Sequence, residues 1–524
     1  MDETIVETHS GKIRGADLGK VIAWKGIPYA APPVGARRFQ PPQPPEPWAS
    51  VRNATTFGPI APQLPFLLAN GTLEVEMPEP QSEDCLYLNI WAPRQDGRKR
   101  PVMVWLHGGA LLNGSGSQSD YDGADFAERG DLVLVTINYR LGVLGFLYLA
   151  ELAGEAYASS GNCGLLDQIA AFQWVRENIA VFGGDPDNIT AFGESAGAIS
   201  IAMLFGMPVA RGLFQRAILE SGPASDVPDK KAASQKTQTF LEILGLKTSE
   251  IAALWTLPYE KLLAAQARLI KDGRFGGIQP VLDGKDLLAT PLQALTRGAA
   301  RDVTLLIGTN RDEARLFTDT ITGEKRESSL ASAAISPELR KNALKILRTY
   351  SKSKRAFWRA LACFALRMPD EKLQDLLLEI ITDYAARIPS IRLAEQQVRQ
   401  GGRVWMYRFD WPSPHLKFGA CHALELPFVW NKLDASSMSV LLGANPPREL
   451  ACGMQAAWIA FARTGDPNIP ELPTWPAYDL ERRGTMIFHE MCQVINDPQA
   501  AERQVWDDFF SVAGELDSTE ASGA

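Results

Sequence analysis

Long apolar runs are missing from this sequence, and so is any excess of positive charge. A membrane-spanning helix needs about 20 consecutive, mostly apolar residues, whereas the apolar runs here have the length of strands, as at residues 132–135. The formal net charge is −8, and proteins that bind nucleic acids use basic surfaces to displace counterions. We therefore expect neither a membrane span nor nucleic-acid binding.

Cysteine and histidine are also scarce. The six cysteines are scattered, and none is in a CxxC pair or near histidines at zinc-ligand spacing. This distribution favours free thiols over a disulfide framework or a structural metal. Residues 1–4 are acidic and polar and no apolar run follows them, which argues against a secretory signal. These features predict a cytoplasmic protein.

Short apolar runs alternate with helical patterns along most of the chain. Buried strands are predicted at residues 102–106, 132–137, 188–192, 217–219, 303–307 and 404–407, and helices at 165–181 and 196–205. This alternation is typical of an α/β fold, and it predicts a large, mostly parallel, doubly wound sheet.

The motif G-E-S-A-G at residues 193–197 lies between a predicted strand and a predicted helix. A nucleophile on so tight a turn has a strained backbone, so small residues must flank it. The following helix then points its amino terminus at negative charge that develops during the reaction. The motif and its context predict that Ser195 is a catalytic nucleophile.

A second motif, H-G-G-A at residues 107–110, directly follows the strand that ends at Leu106. A tetrahedral intermediate needs two or three backbone N–H donors that converge on its oxygen. Only small residues let the backbone approach that closely. We interpret this segment as an oxyanion loop.

A serine hydroxyl needs a neighbouring imidazole to accept its proton. Two histidines that follow the nucleophile are candidates for this base: His422, just before an apolar run, and His415, in a proline-containing stretch. The acid that orients the imidazole should lie between them and the nucleophile, after a later strand. Glu313 and the adjacent Asp312 both fit the loop beyond strand 303–307, and the pattern alone leaves both open.

Two long helical stretches, about 230–300 and 327–400, interrupt the strand–helix alternation. We expect them to be insertions that form a cap over the active site, within a single domain of residues 1–516. The second stretch holds a basic cluster between residues 340 and 359, which is typical of a solvated helix face. The small, polar residues 517–524 are expected to be a disordered tail.

The sequence resembles the type B carboxylesterase and cholinesterase family over nearly its whole length, in particular the bacterial para-nitrobenzyl-esterase-like branch. The matching segments are GIPYAAPP at 26–33, EDCLYLN at 83–89, FGGDP at 182–186, FGESAG at 192–197, GACHALE at 419–425 and TGDPN at 464–468. The resemblance implies the α/β-hydrolase fold and the activity of a serine carboxylesterase. Its substrates would be small-molecule esters, cleaved without a metal or organic cofactor through an acyl-enzyme.

The same resemblance assigns roles to individual residues. It implies a catalytic triad of Ser195, Glu313 and His422, which selects Glu313 over Asp312 and His422 over His415. It also implies an oxyanion hole formed by the N–H groups of Gly109, Ala110 and Ala196. Two structural ion pairs are implied on the same basis, Arg38 with Glu83 and Arg140 with Asp167.

The sequence departs from the family pattern at three places. No cysteine precedes Cys85 to form the disulfide of secreted members, and residues 72–77 contain no tryptophan of the kind that binds choline in cholinesterases. Ala314 follows the triad acid where the family usually has glycine. The first two departures favour a bacterial-type esterase without specificity for quaternary ammonium.

Two other functions have to be weighed. A carbamate or amide hydrolase could use the same triad, because acylation differs chiefly in the protonation of the leaving nitrogen. A non-catalytic binding protein related to the cholinesterases would have lost the triad, whereas all three residues are present here.

Overall fold

The computed structural model of the protein describes residues 2–65, 67–68, 73–74, 79–222, 227–271, 278–317, 373–434, 437–508 and 510. The basic cluster at 340–359 and the tail at 517–524 lie outside the described residues, as does most of segment 72–77.

The strands are β1 (Ile5–Thr8), β2 (Gly11–Arg14), β3 (Ala16–Asp17), β4 (Val21–Pro28), β5 (Arg52–Asn53), β6 (Leu67–Leu68), β7 (Leu73–Glu74), β8 (Tyr87–Pro93), β9 (Arg100–Leu106), β10 (Val133–Ile137), β11 (Gly184–Glu194), β12 (Arg216–Glu220), β13 (Thr304–Asn310), β14 (Val404–Phe409), β15 (Gly484–Phe488) and β16 (Gln493–Asn496). The α-helices are α1 (Ala124–Gly130), α2 (Gly142–Phe146), α3 (Ala150–Ala153), α4 (Cys163–Asn178), α5 (Ala196–Leu204), α6 (Lys230–Leu244), α7 (Tyr259–Lys271), α8 (Pro291–Thr296), α9 (Leu373–Thr382), α10 (Ile388–Arg399), α11 (Leu426–Val429), α12 (Ser439–Leu442) and α13 (Arg448–Thr464).

One large sheet organises the molecule. Within the described part of the chain it has eleven strands, in the order β16-β15-β14-β13-β12-β11-β9-β10-β8-β4-β3. Neighbouring strands from β15 to β10 are parallel, and the strands outside them pair antiparallel. The predicted mostly parallel sheet of the α/β-hydrolase fold is confirmed.

The central strand β9 shows how the sheet separates two cores. Its side chains alternate between the faces: Val102, Val104 and Leu106 join one buried apolar cluster, and Met103 and Trp105 join the other. Helices α4 and α5 contribute buried apolar side chains to the first cluster, and helices α1 and α13 contribute them to the second. A parallel strand covered on both faces is apolar at consecutive positions, which is why β9 reads as an unbroken apolar run.

The strand order reverses beside β9. The chain passes from β9 to β10 on one side and later returns to place β11 on the other. Ligands of open α/β sheets bind at the carboxyl ends of the strands at such a reversal. Because Leu106 is paired in register with Gly193, the H-G-G-A loop and Ser195 emerge side by side at this edge.

Helices occupy the described part of both predicted insertions. In the first, α6 and α7 pack beside α2, where Gln266 Oε1 accepts the N–H of Val143 at 2.8 Å and the Thr237 hydroxyl donates to Tyr148 O at 2.7 Å. In the second, a π-helical turn, Asp383–Arg387, joins α9 to α10. That the insertions belong to a single domain and form its cap stays a prediction.

Both implied ion pairs are confirmed; the Arg140–Asp167 pair is buried and the Arg38–Glu83 pair is largely buried. Arg38 Nε donates to Glu83 Oε2 at 2.7 Å, and Arg140 donates to the two carboxylate oxygens of Asp167 at 2.8 and 2.7 Å. Arg38 also donates to the carbonyls of residues 254 and 257, so this pair ties the first insertion to the amino-terminal part of the chain. Among the described helices, none is both long and apolar enough to span a membrane.

Candidate active site

Ser195 lies at the turn between β11 and α5, in a conformation that few residues other than glycine adopt. Its φ and ψ are 52° and −121°, in the left-handed range that costs a residue with a Cβ atom on the order of 1–3 kcal/mol. The turn is held from the neighbouring strand, because the Ser195 N–H donates to Glu220 O at 2.9 Å. This backbone conformation directs the Ser195 side chain out of the sheet and into the cavity that it lines.

Close packing beneath the turn explains the second glycine of the motif. A Cβ atom on Gly197 would lie 1.9 Å from the carbonyl oxygen of Leu106, at the end of β9. Both groups are main chain, so neither can rotate away. The first turn of α5 can therefore lie this close to β9 only with glycine at position 197.

The oxyanion loop follows β9 and lines the same cavity with Gly109 and Ala110. Ala110 has a φ of 56°, and the turn is closed by the N–H of Asn113, which donates to Gly109 O at 3.1 Å. Ala196 is buried at the first position of α5. Within the described part of the chain, the N–H groups of these three predicted donors have no protein acceptor.

His107, the first residue of the oxyanion loop, has a structural role. Its ring stacks on Tyr139 with centroids 4.4 Å apart, and the Tyr139 hydroxyl donates to His107 O at 2.7 Å. Burial lowers the pKa of His107 to about 4, so the ring is neutral at physiological pH. This contact holds the end of β9 in place beneath the cavity.

His422 and Glu313 meet at the cavity from two loops. Glu313 begins the 3-10 turn after β13 (Glu313–Phe317) and is buried. Its Oε2 lies 2.6 Å from His422 Nδ1, and its Oε1 accepts the Asn310 N–H at 2.8 Å. His415 is exposed, and the carboxylate of Asp312 accepts the N–H of Ala420 and not the imidazole. Of the candidates that the sequence left open, the geometry therefore pairs His422 with Glu313.

The other ring nitrogen of His422 faces a residue that sequence reasoning missed. Glu194, which precedes the serine, places Oε1 3.0 Å from His422 Nε2, but this oxygen is not aligned for a hydrogen bond. Ser195 lines the cavity beside the imidazole without a hydrogen bond to it among the described residues. Catalytic hydrogen bonds are often loose before a substrate binds.

The buried charges shift one another's proton affinity. Burial lowers the pKa of His422, but the carboxylates of Glu194 and Glu313 outweigh it, so the net shift is upward. Burial raises the pKa of Glu194 to about 7, although His422 opposes the shift. At a separation of 3.0 Å, the charge on either of these two groups favours the charged form of the other.

A second buried carboxyl was also missed. Glu425, three residues after His422, receives hydrogen bonds from the Asn310 amide and, at 3.5 Å, from the Ser221 hydroxyl. Burial raises its pKa to about 8. The sequence does contain a signal for Glu425, because this residue lies inside an apolar run, L-E-L-P-F. A glutamate is unusual there, and buried carboxyls are normally partnered.

The cavity has a free volume of about 130 Å³ and is mainly apolar. Its apolar wall consists of side chains from the 3-10 turn, α11 and the following segment, namely Leu316, Phe317, Leu426, Pro427, Trp430 and Met438. The Phe317 ring lies 5.2 Å from the His422 ring. Polar side chains also line the cavity, namely Asn113, Gln118, Asp120 and Lys432. None of its described lining residues comes from segment 230–300.

A serine at a strained strand-to-helix turn, next to a histidine–glutamate pair and unpaired N–H groups, is the arrangement of an α/β-hydrolase that transfers acyl groups. The sequence model of the carboxylesterase family matches residues 2–506. The chain belongs to the carboxylesterase family.

Individual similar proteins indicate which reaction this member of the family catalyses. The chain is 43% identical to the para-nitrobenzyl esterase of Bacillus subtilis, over 96% of this chain and 98% of that protein. It is 33% identical to the phenmedipham hydrolase of Pseudarthrobacter oxydans, over 92% and 94% of the two chains. The crystal structure of the Geobacillus stearothermophilus carboxylesterase EST55 at pH 6.2 matches with a TM-score of 0.85 and 43% identity, over 96% of this chain and all of that one. The protein is a serine carboxylesterase.

Proposed function

We propose that this carboxylesterase cleaves small-molecule esters through an acyl-enzyme on Ser195. The observation that carries the proposal is the 2.6 Å contact between His422 Nδ1 and Glu313 Oε2 at a cavity that His422 shares with a strained serine. In such an arrangement the carboxylate orients the imidazole and stabilises its charged form.

In the first half of the reaction, Ser195 Oγ attacks the ester carbonyl while His422 Nε2 accepts the serine proton. The carbonyl oxygen becomes an oxyanion and accepts hydrogen bonds from the N–H groups of Gly109, Ala110 and Ala196. One such donor typically contributes about 10²–10³ in rate. His422 then gives its proton to the leaving alcohol, the C–O bond breaks, and the acyl group stays on Ser195.

In the second half, water takes the place of the alcohol. His422 removes a proton from the water as it attacks the acyl carbonyl, and the same N–H groups bind the second oxyanion. Collapse of this intermediate returns the proton to Ser195 Oγ and releases the carboxylic acid. For His422 to act as a base its imidazole must be neutral and turned from Glu194 towards Ser195.

Substrates with an apolar group fit the cavity, because leucine, phenylalanine and tryptophan side chains line it together with Ser195 and His422. We also propose that the enzyme works in a reducing compartment, the cytoplasm. The cysteines of the described residues are free, and Cys85, Cys163 and Cys421 are buried as thiols.

Hydrolysis of p-nitrophenyl esters from acetate to laurate, by the wild type and Ser195→Ala, tests the proposal. We expect the wild type to show an optimum of acyl length and the variant to lose on the order of 10⁶ in kcat. Mass spectrometry after treatment with an organophosphate should place the label on Ser195. Activity retained by Ser195→Ala, or a label on another residue, would overturn the proposal. Carbamates and amides of matched size, run in parallel, measure whether a nitrogen leaving group is tolerated.

A further inference from the structure

Asp312 was a rival for the role of triad acid, and the structure gives its carboxylate other partners. Oδ2 accepts the N–H of Ala420 at 2.9 Å and also faces the Arg311 guanidinium, with Nε at 3.0 Å and Nη2 at 2.9 Å. Oδ1 lies 3.6 Å from Nε of Arg315. The Asp312 side chain is one-fifth exposed, and its hydrogen bond to Ala420 falls two residues before His422.

The Asp312–Ala420 contact is part of a ladder between two loops. The Asp312 N–H donates to Ala420 O at 2.9 Å, while Ala420 N–H returns to the Asp312 carboxylate. At the next two positions of the histidine loop, the Asn310 amide donates to Cys421 O at 2.6 Å, and the His422 N–H donates to Glu313 O at 3.4 Å. Residues 310–313 therefore bind the main chain at three consecutive positions of the histidine loop, 420–422.

Gly419 allows the two loops to approach this closely. Its φ is 53°, and a Cβ atom there would lie 2.4 Å from Asp312 Oδ2. A larger residue would push the aspartate away from the Ala420 N–H. Gly419 therefore leaves room for the Asp312 side chain. The contact joins the G-A-C-H segment to the loop after β13, about 110 residues earlier in the chain.

We propose that Asp312 is a positioning residue that sets the main chain of the histidine loop, and through it the imidazole of His422 against Glu313. This inference rests on the proposed role of His422 as the catalytic base. The ionised carboxylate is held by Arg311 and Arg315 in the orientation that accepts the Ala420 N–H. A charge-assisted hydrogen bond of this kind is about twice as strong as a neutral one. Asp312 touches no reacting atom.

Removing the carboxylate frees the Ala420 N–H and leaves residue 420 bound only through its carbonyl, by the main-chain N–H of residue 312. A displacement of about 1 Å at a reacting group can cost on the order of 10² in rate. We therefore expect Asp312→Ala to lower kcat about 100-fold with little change in KM. Asp312→Asn keeps an oxygen that can accept the N–H but loses the charge, so its kcat should fall between those of Asp312→Ala and the wild type.

The measurement is kcat per titrated active site, with an organophosphate as titrant, together with the pH dependence of kcat/KM. The pKa of His422 is raised in part by its contact with Glu313. A loosened contact should therefore move the acid limb of the profile to lower pH in Asp312→Ala. Asp375→Ala is the matched control, because Asp375 also faces Arg315, at 3.3 Å, and lies outside the ladder. Its kcat per site should equal that of the wild type.

The outcomes separate this inference from the proposed function. A titrant that labels a residue other than Ser195 in the wild type would overturn the proposed function. Labelling of Ser195 with unchanged kcat per site and an unmoved acid limb in Asp312→Ala would overturn the positioning role alone, even if fewer sites were titratable. Should Asp312→Ala yield no folded protein, Asp312→Asn decides by the same two readouts.

Discussion

The two sides of the active site are built in different ways. On the nucleophile side, main-chain features hold Ser195: a strained φ of 52°, a backbone hydrogen bond to β12, and Gly197, where an added Cβ atom would lie only 1.9 Å from Leu106 O. On the histidine side, polar side chains hold the loop, namely Asn310, Asp312 and Glu313.

This difference determines which kind of substitution should impair each side of the active site. Main-chain packing depends on residue volume, so the nucleophile side should fail when a methyl group is added. Side-chain hydrogen bonds depend on charge and shape, so the histidine side should fail through isosteric changes that leave the volume unchanged.

The largest effect should come from an isosteric change on the histidine side. Glu313→Gln keeps the shape of the side chain but removes the charge that stabilises the imidazolium. By analogy with other triads, we expect kcat to fall about 10³–10⁴-fold with an unchanged melting temperature. Steady-state kinetics and thermal unfolding measure both. Glu481→Gln, at an exposed site, is the control, and an equally small kinetic effect in both variants would contradict the prediction.

A smaller effect, mainly on stability, should follow from a methyl group on the nucleophile side. Gly197→Ala forces α5 away from β9 and should cost about 1–3 kcal/mol or more, seen as a lower midpoint of unfolding. Gly453→Ala makes the same change in helix α13, where the nearest side-chain atom is 3.4 Å from the added Cβ. Because alanine favours helices, this control should be as stable as the wild type or more so. Equal midpoints for the two variants would refute the packing argument.

The smallest effect should appear where the two sides touch, at Glu194 and His422. In the proposed mechanism His422 must be neutral to act as the base, so kcat/KM should rise with pH as the imidazole loses its proton. The Glu194 carboxylate raises the pKa of His422, so Glu194→Gln should move the acid limb of the profile to lower pH. A pH series of kcat/KM measures this, with exposed Glu449→Gln as control. An acid limb that stays in place, or moves to higher pH, would show that Glu194 does not set the imidazole's proton affinity.

The comparison also explains what the sequence could predict. The strands and helices around Ser195 were predicted within a few residues, because an apolar strand, small flanking residues and a helix are local features. The helix predicted at residues 165–181 ends somewhat earlier. In the structure α4 ends at Asn178, a 3-10 turn follows, and Gly183 turns the chain into β11 with a φ of 84°.

Reasoning from local pattern left the histidine side open, since the pairing of Glu313 with His422 depends on contacts between distant segments. Strand β13 runs three residues beyond its predicted end, to Asn310, and this brings the Asn310 amide to Cys421 and Glu425. The burial of Glu194 also depends on contacts between distant segments, and for Glu425 the only signal in the sequence is the apolar run around it. The resemblance to the family supplied the pairing that local pattern could not.

The separation of the two loops along the chain also bears on synthesis. Glu313 and His422 are 109 residues apart, so the nucleophile turn and the acid are made well before the base. At about 5–20 residues per second the ribosome delivers the histidine on the order of ten seconds after its partner. During that interval Asn310, Asp312 and Glu313 have no loop to bind, and the serine has no base. Under the proposed mechanism, hydrolysis can therefore begin only after the histidine loop has reached residues 310–313.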